Sequence, residues 1–369
     1  MHRQRVRLYI PSTSDGPFSE LEKVGDYAFH DRPASGSPPH LLPGNSLSSS
    51  DATLDSPSTI LWYLDPSSWE LAHAPYDGCL ACGDDSLKFF VDTLQSWMKQ
   101  WTSQGHCAFI NRSLYSVNLP LPIQDAYTTL AAYQTKTSET KRMVLRIAKE
   151  RASNLVHSQP PEPAAIVLDM AMHLARTQAL VIYTTTCLFD GNINARAQAE
   201  HGIEVLLTWG YQLLQSASLD TYSAGSYDAS QSRGGDSGEP TPFNLLSIGG
   251  DLNSIWHTWV FTESIRRTYL ASVLLMTIYS TLKEGWSGCP GGIAFTGDGG
   301  LWDAPSAYAW GRVMRTVNNN KMGFVPIRSH KMGDVLVDRK YGDVDDFTHA
   351  SLIAVMGLER VERWREGVN

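Results

Sequence analysis

An all-α fold is what this sequence predicts: an irregular multi-helix bundle interrupted by two flexible low-complexity tracts. Three observations lead there. Apolar residues recur at spacings of three and four over much of the chain; neither a train of alternating strands nor an internal repeat accompanies them; and two stretches, 11–59 and 216–250, are rich in Ser, Gly and Asp. At 369 residues, with 42% hydrophobic and 18% charged side chains, the chain has the apolar material for a sizeable core.

Residues 1–59 read as a mostly disordered leader, since Ser, Pro, Gly and Asp with scattered apolar positions bury too little surface to offset chain entropy. Residues 60–369 read as one helical domain with a flexible insert at 216–250. Ile60 to Leu64 and Trp69 form an apolar island suited to docking on a core. From Ser86, Leu87, Phe90, Val91, Leu94, Trp97, Met98 and Trp101 share one helix face, and Gly105 and His106 close that helix. After Pro120 and Pro122, the pattern through Tyr127, Leu130, Ala131 and Tyr133 predicts one helix continuing past Lys141 to Val156.

Pro163 is placed to open a long helix ending at Leu188 or Phe189. Asp190-Gly191-Asn192 then turns the chain into an antiparallel helix over Ala195 to Gln215. Asp251 is the expected cap of the longest helix, Leu252 to about Lys283. A glycine-rich connection, 285–300, leads to shorter helices at Ser306 to Thr316 and near Met332, and to one amphipathic helix through Phe347, Leu352, Val355, Leu358, Val361 and Trp364.

Lys and Arg number 30 against 38 Asp and Glu, a formal charge of -8, which argues against a grip on nucleic acid by the whole chain. Five cysteines, few for this length and odd in number, read as a reducing compartment rather than a disulfide framework. The basic opening from Met1 to Arg7 runs into Leu8-Tyr9-Ile10-Pro11 with no apolar core of a signal peptide, so secretion is not expected. The longest apolar stretches, 179–189 and 269–282, are too short to span a membrane and read as buried helices.

The candidate chemical motifs are weak. Gly235-Asp236-Ser237-Gly238 has the letters of a serine-protease nucleophile loop, yet it falls in a Ser/Gly tract without the rigid β scaffold that such a serine needs. Gly285-Trp286-Ser287-Gly288-Cys289 lacks a nucleophile-elbow glycine and follows a helix. Cys79 and Cys82 have the spacing to chelate zinc or form a redox pair, but His73, His106 and Cys107 supply no recognised second pair. His173, His201 and His257 stand alone on predicted helices, and the 288–300 loop has no Lys-Ser/Thr to clamp a phosphate. Asp343, Asp345 and Asp346 lack calcium-loop spacing and suit the start of the last helix. Asn111-Arg112-Ser113 is a glycosylation acceptor only in a secretory context. Glu263, Arg266 and Arg267 lie within an apolar helix and must pair or reach solvent; an ion-paired patch is expected. No catalytic, cofactor-binding or metal site is predicted. Trp97, Trp101, Trp209, Trp256 and Trp259, at helical spacing, are expected in the core.

Three blocks carry a resemblance: Trp259 through Thr268 (WVFTESIRRT), Leu301-Trp302-Asp303-Ala304-Pro305-Ser306 with Trp310, and Val344-Asp345-Asp346-Phe347 ahead of Gly357-Leu358-Glu359-Arg360-Val361. In order and spacing, from about Leu87 to Trp364, they resemble the regulatory region of fungal binuclear zinc-cluster transcription factors. The resemblance implies a helical effector domain, a nuclear location and control of target genes, often a biosynthetic cluster. That family carries an amino-terminal cluster of six cysteines and a basic linker; the five cysteines here form no such cluster, so direct DNA contact is left open. Arg3, Arg5 and Arg7 are compatible with a linker remnant or a localisation signal, or with neither. The expected partners are the transcription machinery or a DNA-binding protein, with a homodimer also open and no membrane involved. The competing readings are an all-α biosynthetic enzyme with an aromatic-lined pocket and a ligand-sensing dimerisation module.

Overall fold

A computed structural model describes residues 62–73, 83–158, 169–228, 251–318 and 325–368. The expected leader and the Gly235–Gly238 and Cys79–Cys82 motifs lie outside the described residues. Among those described, the chain is essentially all-α, as the periodicity predicts, with ten α-helices and one two-stranded sheet.

Helix α1, Asp84–Gln104, buries Leu87, Phe90, Leu94, Trp97, Met98 and Trp101 of the stripe read from spacing, with Val91 partly buried beside them. It ends at Gly105, whose N–H donates to the Trp101 carbonyl. The predicted helix from Ile123 to Val156 is in fact two, α2 (Leu121–Gln134) and α3 (Lys141–Ser158). The break has a local cause. The Thr137 N–H donates to Thr140 Oγ1 at 2.8 Å and the Thr140 N–H to Thr137 Oγ1 at 3.3 Å, so side chains satisfy amides that a continuous helix would use.

Helix α4, Met170–Leu188, starts later than the Pro163 signal suggests: Asp169 caps it by accepting the Ala171 N–H. From His173 to Leu188 every side chain is buried, as expected of a helix surrounded by others. Helix α5, Ile193–Asp228, runs past Gln215 into the tract read as an insert. Leu213, Leu214, Ala217 and Thr221 continue its buried stripe, so packing outweighs the Ser-rich composition there. Gly202 and Gly210 let α5 approach closely: a Cβ on the first would sit 3.3 Å from Thr184 Oγ1, and on the second 3.3 Å from the Tyr269 ring.

Helix α6, Leu252–Glu284, is capped by Asp251 as predicted, through the Ser254 N–H at 2.9 Å. Its middle, from Trp259 to Val273, is buried almost without interruption. Beyond it, β1 (Ala294–Phe295) pairs antiparallel with β2 (Ile327–Arg328), too short a ladder to show an alternating pattern in sequence. Helices α7 (Ala307–Asn318) and α8 (Met332–Asp338) match the expected short helices. The single amphipathic helix expected at the end is two, α9 (Asp346–Met356) and α10 (Leu358–Glu366). Gly357 separates them with φ 88°, a conformation that only glycine adopts without strain, and the Leu358 N–H is taken by Ser86 Oγ on α1.

Two apolar clusters result. The larger joins α1 to α6 with α8 to α10, while Tyr63, Trp256, Trp259, Leu301, Trp302 and Trp310 belong to a smaller one beside the amino-terminal half of α6. All five tryptophans expected in the core are buried.

Candidate functional site

Of the ion-paired patch expected at Glu263, Arg266 and Arg267, the Glu263–Arg267 pair forms, while Arg266 has no carboxylate within ion-pair distance among the described residues; all three side chains lie inside the molecule, 1% exposed or less. Helix periodicity places Glu263 and Arg267 one turn apart, and Arg267 Nε donates to Glu263 Oε1 at 3.1 Å. The same guanidinium donates from Nη1 to the Ala108 carbonyl at 3.1 Å and from Nη2 to the Thr296 carbonyl at 2.8 Å. Nη2 also pairs with Asp345 Oδ2. The Trp302 ring centroid lies 4.1 Å from the guanidinium carbon.

Asp345 serves two elements at once. Its Oδ1 accepts from the Thr348 N–H and hydroxyl at 2.9 and 2.7 Å, capping α9, while Oδ2 holds Arg267. The capping role expected of the acidic cluster therefore holds for Asp345, and Asp343 accepts the Lys340 N–H. Glu263 Oε1 additionally takes the Thr296 N–H at 3.0 Å, and Oε2 has no hydrogen-bond partner among the described residues. Arg267 thus ties α6 to the loop after α1, to the end of β1 and to the start of α9.

Arg266 points elsewhere. Its Nη2 donates to the Tyr63 carbonyl at 3.1 Å and to Ser68 Oγ at 2.6 Å, and the guanidinium lies 3.6 Å from the Trp69 ring centroid. The apolar island at residues 62–69 docks, as predicted, and a cation on α6 is what it docks on. Burial pushes the Arg266 guanidinium down to about 9, opposed by Glu263 and then Tyr63. Burial likewise pushes the Glu263 carboxyl up against the pull of Arg267 and Arg266. Arg267, though burial works against its charge, is held above its usual value by Asp345 and then Glu263.

A third buried cation has no sequence signal beyond an arginine in an apolar helix. Arg176 on α4 is 2% exposed, and its Nη2 meets His173 Nδ1 and Gln212 Oε1, each at 2.8 Å. Its guanidinium sits 4.4 Å from the Trp209 ring centroid, and Nε and Nη1 have no hydrogen-bond partner among the described residues. Burial lowers Arg176 to about 10. Burial, then the Arg176 charge, lowers His173 to about 4, with Asp169 opposing, so its imidazole is neutral near pH 7 and Nδ1 accepts.

The remaining candidates separate. His173 is buried, while His201 and His257 are exposed and stand apart on α5 and α6. Cys289 is exposed and free, and burial pushes the Cys107 thiol up to about 12. Asn111 is buried with Nδ2 donating to the Trp302 carbonyl at 2.8 Å, so that amide is engaged inside the fold. Among the described residues no three His, Cys, Asp or Glu side chains converge as a metal site, and no described helix is long and apolar enough to cross a membrane. The buried network has charges held by hydrogen bonds and out of reach of solvent, which suits fixing several elements in place rather than contacting a substrate.

With that geometry in view, comparison with known proteins adds one relative. The chain is similar to the Penicillium aethiopicum protein named transcription factor gsfR2, at 27% identity over 279 residues, which is 75% of this chain and 61% of the relative. The matched part is thus about three fifths of that relative's length. No family model matches the chain, and no solved structure does.

Proposed function

We propose that this chain regulates transcription through its helical domain. The observation that carries the reading is the 27% identity over 279 residues to a protein named as a transcription factor. The all-α fold and the resemblance of the WVFTESIRRT, Leu301–Ser306 and Val344–Phe347 blocks to the regulatory region of fungal zinc-cluster factors agree with it. Under this reading Arg266, Arg267, Glu263 and Asp345 hold the effector domain in shape and take no part in a chemical step. The protein acts in the nucleus, through the transcription machinery or a DNA-binding partner, and its targets form a coregulated block such as a biosynthetic gene cluster.

The test compares whole-transcriptome profiles with and without the gene and follows a fluorescent fusion of the full chain. A block of genes falling silent together, with a nuclear signal, is the expected result. Unchanged transcripts with a single lost metabolite and a cytosolic signal would overturn the reading in favour of an enzyme.

A further inference from the structure

A half-open cleft of 110 Å³ lies between the carboxyl-terminal half of α3 and the facing stretches of α4 and α5. It exists because small side chains meet there: Ala195, Ala199 and Gly202 on α5 recur along one face, opposite Ala152 on α3. Protein interiors are packed densely enough that an apolar space of this size works against stability when unfilled, and a lining with few polar atoms gives water few partners. An apolar cavity of about 150 Å³ holds benzene. At 110 Å³ the space is smaller than that but half-open, so it suits a short branched chain or one ring whose edge extends into the mouth.

The mouth has a different chemistry. Lys149, His157 and His201 are among the lining residues, and neither Asp nor Glu is; the two histidines are exposed and Lys149 half-buried, which puts them on the solvent side of the cleft. Asp190, the carboxylate that acts on the Cys187 thiol in the wall, is already engaged by Lys141 Nζ at 3.0 Å and by the Tyr133 hydroxyl at 2.9 Å. Gln198 Nε2 reaches the Lys149 carbonyl at 3.4 Å, linking α5 to α3 beside the opening. An apolar floor under a basic rim is complementary to an amphiphile of one kind, with a small hydrophobic body and an anionic head.

We infer that the cleft between α3, α4 and α5 binds a small apolar carboxylic acid of the size of an aromatic monocarboxylate, ring inward and carboxylate at Lys149. The site is built by residues unconnected with the buried arginines, and binding there stands apart from the regulatory reading, so either can fail alone. Calorimetric titration of the full chain with benzoate, benzyl alcohol and benzylamine tests it. Benzoate is expected to bind once per chain and at least tenfold more tightly than benzyl alcohol, with benzylamine weakest.

Lys149→Gln is expected to weaken benzoate about tenfold and leave benzyl alcohol unchanged, which loss of structure would not do. Ala199→Phe fills the floor, and Ser153→Trp covers the mouth from a half-buried position on α3, so the second remains decisive where the first does not fold. Both are expected to abolish binding of benzoate and benzyl alcohol alike. Absence of saturable benzoate binding, equal affinity for benzoate and benzylamine, or binding that survives Ser153→Trp overturns the proposal.

Discussion

Arg267 and Arg176 are both almost completely buried on central helices, yet they are compensated differently. Arg267 meets two carboxylates, Glu263 and Asp345, and two backbone carbonyls. Arg176 meets an imidazole nitrogen, an amide oxygen and an indole face, and among the described residues none of its hydrogen-bonding or ring partners is a carboxylate. The difference teaches that a buried cation acquires structural weight from what it would leave behind. Removing Arg267 strands two anions in the interior, whereas removing Arg176 strands only dipoles.

The sharpest way to break the comparison is Arg267→Met. It is expected to destabilise the fold by about 3–5 kcal/mol, because Glu263 and Asp345 stay buried without their cation. Urea denaturation would read this as a lower midpoint at unchanged slope, and a loss under about 1 kcal/mol would contradict the assigned role. Asp345→Asn is gentler. Asparagine caps a helix as well as aspartate does, so the α9 cap survives through Oδ1, while an amide NH2 replaces the oxygen that accepts from Arg267 and the charge is lost, for an expected cost of roughly 2–3 kcal/mol.

The Arg176 side is tested through pH. His173 has its folded pKa depressed to about 4, so below its unfolded value the unfolded chain binds the extra proton and stability falls. Its contribution is fully present above pH 7 and is lost as the pH drops from about 6.5 towards 4, amounting to at most about 2 kcal/mol by pH 5. His106 and His330 are lowered in the same direction, so the informative quantity is the difference from His173→Asn. That variant should show a shallower decline between pH 7 and pH 5, and an identical profile would remove His173 from the account.

The smallest effect is expected from Arg176→Met. With no carboxylate to strand among the described residues and an indole face left to pack against, the change should cost less than about 1 kcal/mol or even stabilise. A loss as large as that of Arg267→Met would mean that the two sites are alike after all.

The helix faces of α1 and α6 were legible in the chain because Leu87 to Trp101 and Trp259 to Tyr269 repeat with the helical period, a property of local geometry alone. Element ends were legible only where a side chain announces them. Asp251 capped where expected, but the start of α4 moved from Pro163 to Asp169, and the mutual bonds of Thr137 and Thr140 divided a run that periodicity joins. Glu263 with Arg267 was readable as a pair, since one helical turn separates them.

By itself, then, the sequence determined an all-α chain, its apolar faces and the placing of three charges within an apolar helix, where they had to pair or reach solvent. The tertiary structure decided who answers those charges. Asp345 lies 78 residues from Arg267, and Tyr63 lies 203 residues from Arg266. Such pairings are set by how helices cross and which loops close over them, and no period along the chain encodes a distance across the core.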